Sequence, residues 1–263
     1  MLNLVNGILA VKSTEYQKGI EAYNKGEFVT ALNKLTPLAE QGNSEAQNLL
    51  GKMYNKGEGV EESWLTGAKW FRAAADQGDA EGQLNFAAMH WFLASEPEEF
   101  EQVFKWCKLA AEQGHVRAQS LLGELYVDGK GVPKDDELAA KWFTLSAEQG
   151  NSNAQFTLGQ MYRSGDGVPQ SIETALDWYS LAADQGEAAA QWALGVLYCA
   201  GNDLPQNYQI AIKWHTLAAE QGFPDASESL GSIYEEGEGV PKDDEIASKW
   251  YDLAKKQRLE AQF

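Results

Sequence analysis

Residues 151–186 read NSNAQFTLGQMYRSGDGVPQSIETALDWYSLAADQG, and the same skeleton returns before and after them at a fixed spacing. Gln41, Gln77, Gln113, Gln149, Gln185, Gln221 and Gln257 lie 36 positions apart without slippage, and so do Trp70, Trp106, Trp142, Trp178, Trp214 and Trp250. A period of this size, kept in register, belongs to a solenoid in which each unit buries its apolar face only against its neighbours. The expected fold is all-α, an α/α solenoid of about seven helix pairs.

Each full unit divides into two helices. The first carries small and apolar residues three and four apart, as in Ala46, Leu50, Gly51, Met53 and Tyr54, which gives one apolar stripe. A loop such as Gly165-Asp166-Gly167-Val168-Pro169 follows, whose glycines supply positive φ and whose proline cannot continue the helix. The second helix opens at a column occupied by Ser63, Glu99, Asp135, Ser171, Asn207 and Asp243, all but Glu99 strong N-cap types. Glu101→Lys105, Glu137→Lys141 and Glu245→Lys249 are i,i+4 pairs that mark its solvated back. The recurring tryptophans read as equivalent buried positions on its packing side. On that reading Trp142→Ala is costly and Trp192→Ala, outside the register, is not.

The layout that follows has four parts. Residues 1–13 are a short apolar segment, either the remnant of a secretion signal or a cap over the end of the first helix pair. Residues 14–41 form a capping helix pair whose loop is five residues shorter than in the later units. Six 36-residue units occupy 42–257 and 258–263 end the array, with Lys255, Lys256 and Arg258 putting charges where earlier units are buried or acidic. One unit breaks the loop pattern: from Phe92 to Glu99 it reads FLASEPEE, with the tryptophan and glutamine registers intact, a remodelled loop that is either a contact or drift.

Composition narrows the partners. With 39 acidic against 21 basic residues, a formal charge of −18 repels phosphate backbones, so no nucleic-acid partner is expected. No apolar run is long enough to span a bilayer, so no membrane insertion is expected either. Two cysteines make no disulfide framework, and Cys107 and Cys199 lie too many units apart to pair. No metal-binding spacing or nucleophile motif with a credible base is present, and no cofactor is expected. His90 and His215 stand in columns of aromatic residues and Cys107 shares the column of His215, so both columns read as packing positions.

The pattern in Gly123, Tyr126, Gly129, Gly131, Val132, Asp135, Ala139, Trp142, Ala147, Gln149 and Gly150 resembles the Sel1-like repeat, a relative of the tetratricopeptide repeat, over about 210 of the 263 residues. The resemblance implies a right-handed superhelix of paired helices that acts as an adaptor for protein complexes. It also implies a bacterial source and a periplasmic or secreted location rather than a cytoplasmic one. One cysteine-rich branch of the family is associated with penicillin binding and weak β-lactam hydrolysis. This chain lacks that branch's cysteine pairs, and the activity stands only as the alternative to a non-enzymatic scaffold, expected to be a monomer.

Four positions of each first helix, spaced 0, 3, 7 and 10, share one face and do not follow the repeat. They are polar at the two ends of the array, as in Glu45, Asn48, Lys52 and Asn55, and in Asp225, Glu228, Ser232 and Glu235. In the middle they turn apolar: Leu84 and Trp91, Val127, Phe156 and Arg163, then Trp192, Val196 and Cys199. By the resemblance, first helices line the concave side, which makes these residues the expected protein-binding groove, with the reservation that some pack between neighbouring first helices.

Overall fold

The structure, a computed structural model, describes residues 14–94, 99–202 and 204–261, so the 1–13 segment and the tip of the remodelled loop lie outside the described residues. Among the described residues there are helices and no strands. They are α1 (residues 14–24), α2 (Phe28–Glu40), α3 (Ser44–Lys56), α4 (Trp64–Asp76), α5 (Ala80–Leu93), α6 (Phe100–Glu112), α7 (Val116–Asp128), α8 (Asp136–Glu148), α9 (Ser152–Ser164), α10 (Ile172–Asp184), α11 (Ala188–Ala200), α12 (Tyr208–Glu220), α13 (Pro224–Glu236) and α14 (Asp244–Glu260). The chain forms two compact units, residues 1–134 and 135–263. In each, consecutive helices lie against one another, and in the first α3 also touches α5, so successive first helices are neighbours. No described helix is long and apolar enough to cross a membrane.

The helix boundaries follow from local chemistry. Ser63, Asp135, Ser171, Asn207 and Asp243 each accept a backbone N–H in the first turn of the helix they open, while Glu99 makes no such bond. α9 stops at Gly165, whose φ of +85° an L side chain would resist. The second loop glycine has a different task. A Cβ on Gly167 would stand 2.0 Å from the carbonyl oxygen of Asp136 at the start of α8, so the loop seats directly on the preceding second helix. The remodelled unit has no such stop: α5 runs to Leu93 and ends at Ala94 in extended conformation.

The glutamine register has a physical cause. Gln185 at the end of α10 donates to the Oε1 of Gln155 on α9 (2.7 Å), and Gln155 in turn donates to the carbonyl of Ala147 on α8 (3.0 Å). The same relay runs Gln77 to Gln47 to Ala39, Gln113 to Gln83 to Ala75, and Gln221 to Gln191 to Ala183. Each inner glutamine is buried and both accepts and donates, so three successive helices are tied by side-chain amides where an aliphatic residue would only pack. In the last unit Ser227 replaces the inner glutamine and is too short to reach across. Gln257 then bonds the Ala219 carbonyl itself (2.8 Å) and accepts from the Ser227 hydroxyl (2.8 Å).

The tryptophan register is not the core, which corrects the sequence reading. Of the six, Trp106 alone is buried, and Trp142 and the others are only partly buried. The buried column is the next residue: Phe71, Cys107, Phe143, Tyr179 and His215 are at most 3% exposed. Its rings lie on the glycines of the first helix. A Cβ on Gly159 would come within 2.7 Å of the Tyr179 ring, and one on Gly195 within 2.5 Å of His215. Where the ring shrinks to Cys107, the glycine position holds Ala87, which fills the freed space. The tryptophans flank the core instead, as Trp214 does against the cluster of Ala175, Tyr179 and Leu194.

Candidate functional site

The face expected to form a groove behaves differently in the two units. In the first, much of it is helix–helix contact. Asn48 on α3 accepts from Asn85 on α5 (2.7 Å), Lys52 pairs with Glu81 (2.7 Å), and Asn55 donates to the sulfur of Met89 (3.1 Å). Leu84 stands in the same column as Asn48 and is only 4% exposed, so it is an interior residue and not part of a free surface. The physical reason is the close approach of consecutive first helices, which buries the side that each turns to the next. Trp91 is half-buried, edge-on to Phe100 (5.3 Å) with the Lys130 ammonium over its face (4.8 Å). Val127 is half-buried on α7.

Glu81 is the charged centre of this face. His115 caps α7 by accepting the Ala118 N–H at Nδ1 (3.4 Å), which leaves Nε2 to donate to Glu81 (2.7 Å). With that bond first and Lys52 second, the carboxyl is held well below the usual carboxylate range.

In the second unit the stripe opens. Between α11 and α13 lies a cavity of about 590 Å³ into which Trp192, Val196 and Cys199 all face. These are three of the residues the sequence reading selected. The others separate: Phe156 lies on the Tyr179 ring (5.8 Å), and Arg163 is exposed near the end of α9. Trp192 is less free than its place outside the register suggested. It rests on the cluster of Ala218, Ala219, Ala226 and Leu230 and against Phe223 (5.8 Å), so removing it costs packing as well as surface.

The remaining walls escaped the sequence reading. His215 closes the cavity from α12, Ile233 from α13, and Tyr208 from the start of α12. His215 is fully buried in its packing column, yet its Nδ1 has no hydrogen-bond partner, and the indole N–H of Trp192 has none either. The rim is acidic, with Asp225, Glu228 and Glu238. The sequence places Asp225 and Glu228 in the polar end of the array and Glu238 in a loop. Their only advance signal was position: Glu228 shares the column of Trp192, and Glu238 sits between the two loop glycines.

The electrostatics of the floor argue against nucleophilic chemistry there. The Cys199 thiol lies 3.9 Å from His215 Nε2, which has the look of a reactive pair. Burial, aided by the Glu238 charge, pushes the thiol up to about 11, and burial lowers the imidazole to about 4. At neutral pH both are uncharged, so no thiolate is available. Cys107 and Cys199 are both free thiols.

Short α/α units tied by side-chain amides define an α-helical repeat array. The Sel1 repeat family model matches residues 44–79, 100–115, 116–151, 152–187, 188–223 and 224–258, and the chain belongs to that family. Sel1 repeat proteins mediate protein–protein interaction. Among solved structures, the chain is similar to a protective antigen of uropathogenic Escherichia coli strains displaying an SLR fold, at 32% identity and TM-score 0.82, over 95% of this chain and 54% of that one. It thus spans about half the length of that protein. A Sel1 repeat protein from Oxalobacter formigenes is 31% identical with TM-score 0.82, over 91% of this chain and 96% of that one. The immunity protein PA5088 of Pseudomonas aeruginosa shares the fold at 18% identity and TM-score 0.52, over 84% of this chain and 83% of that one. No curated protein matches.

Proposed function

We propose that this protein is a non-enzymatic adaptor that seats a segment of a protein partner between α11 and α13. The observation that supports this is the cavity itself: an aromatic and aliphatic lining, open to solvent, on helices fixed by the glutamine relay. Desolvated aromatic anchors carry most of the energy of such contacts, while polar rims contribute little. The polar ladder of α3 and α5 is taken up by internal bonds and offers less. The family and its solved bacterial members support a bacterial source and a protein partner. Weak β-lactam hydrolysis finds no support in this cavity, where the one thiol is protonated at neutral pH.

The test is capture of the natural partner by the full chain and by variants. Ser232 is exposed at the cavity mouth, so Ser232→Trp fills the space without touching the core. Trp192→Ala removes the anchor. Each is expected to weaken binding by at least about 2 kcal/mol, roughly thirtyfold, with Ser232→Trp keeping the parental melt. A partner that ignores both, but is lost when Phe92 and Leu93 of the remodelled loop are changed, would overturn the reading.

A further inference from the structure

The cavity has a chemical polarity that specifies what kind of segment fits. Its floor is apolar and its mouth carries Asp225, Glu228 and Glu238. The chain itself shows what these carboxylates accept. Arg258, at the end of α14, places its guanidinium between Asp225 (3.0 Å) and Glu228. One cation serves two acids, and all three side chains stay about half-exposed, so the contact is open to exchange. Glu238 is also exposed, beside Tyr208 and within reach of the Cys199 thiol. Two unpartnered polar atoms, the Nδ1 of His215 and the indole N–H of Trp192, lie sealed behind the wall, His215 Nδ1 against Gly195 of α11, so the lining that faces the cavity is apolar.

Resting on the adaptor reading above, we propose that the cavity between α11 and α13 recognises a basic peptide segment, with an arginine or lysine at either acidic end of the mouth, Asp225 and Glu228 early in α13 or Glu238 just past its end, and its apolar neighbour on Trp192 and Val196. Arg258 is then an internal competitor that holds part of the rim in the empty state. Opposite charge at the mouth also steers encounter, in a chain of formal charge −18 that already favours basic partners.

The experiment uses the full chain and four short acetylated peptides in which one central position, flanked by leucines, is arginine, lysine, glutamine or glutamate. Binding is followed on the Trp192 indole cross-peak, assigned with Trp192→Phe. The arginine and lysine peptides are expected to bind at least about tenfold tighter than the glutamate peptide, with a gap that narrows as salt is raised. The double variant Glu228→Gln, Glu238→Gln, which lowers the charge at both ends of the mouth, should weaken the arginine peptide about fivefold and leave the glutamine peptide unchanged. Arg258→Ala should strengthen the arginine peptide about threefold, the opposite of what a purely structural role predicts. Equal affinity for the four peptides, or a charge preference undiminished in the Glu228→Gln, Glu238→Gln double variant, would overturn the basic-segment inference while leaving the adaptor reading to stand. Binding of spermidine at the cross-peak with no peptide binding would overturn it in favour of a small cationic ligand. Loss of the natural partner on Ser232→Trp tests the adaptor reading separately.

Discussion

Replacing Gln155 with methionine tests the relay that joins successive helices. Methionine keeps the length and nearly the volume of glutamine, so no cavity opens and the effect is confined to hydrogen bonding. Gln155 is 4% exposed, accepts from Gln185 (2.7 Å) and donates to Ala147 (3.0 Å). Both bonds vanish, but neither partner is stranded. The Ala147 carbonyl keeps the Gly150 N–H (2.9 Å), and the Gln185 amide, at the surface, keeps the Leu181 carbonyl (3.4 Å) and can turn to water. The cost is therefore two net hydrogen bonds without an orphan penalty, about 2 kcal/mol. Urea unfolding with an unchanged m-value measures it, and Gln185→Met completes a double-mutant cycle with an expected coupling of about 1 kcal/mol. A Gln155→Met protein within about 0.5 kcal/mol of the parent, or additive losses in the cycle, would refute the relay as a stabilising device.

Phe143→Ala should cost about 3–5 kcal/mol and Trp142→Ala about half as much, because Phe143 is 1% exposed and Trp142 is only partly buried; equal losses in denaturant melts would put the core back on the tryptophans. With its thiol raised to about 11, Cys199 should react with maleimide at neutral pH about a hundredfold more slowly than an ordinary thiol, and faster by about tenfold per pH unit, while Cys107 reacts only after unfolding. Faster labelling of Cys107 in the folded protein would contradict the assigned faces. Glu81 titrates lower in the folded chain than its ordinary 4.5, so its contribution is whole above that pH and is lost as pH falls below it. Glu81→Gln should therefore narrow the difference between urea midpoints at neutral and acid pH, and a variant with the parent's acid sensitivity would sink that assignment.

The sequence by itself determined the class of fold, the repeat length, the five working N-caps and the glycine stops, because all of these are set within a few residues by periodicity, capping chemistry and positive φ. It also marked glutamine and tryptophan as recurring, gave the glutamines no role, and placed the tryptophans in the core, one position away from the residues that fill it. Only the tertiary structure showed that the glutamines form a relay across three helices and that the tryptophans stand beside the core, since a residue's burial depends on the helix opposite it. The stripe on the first helices illustrates the same limit. Asn48, Leu84, Phe156, Trp192 and Glu228 share one column, yet Leu84 is sealed against a neighbouring helix while Trp192 and Glu228 border open space. How closely successive first helices approach is decided by packing between units, which no repeat pattern records, and that spacing turned three of the eight selected residues into the lining of one cavity and supplied its acidic rim from positions that had looked like a polar end and a loop.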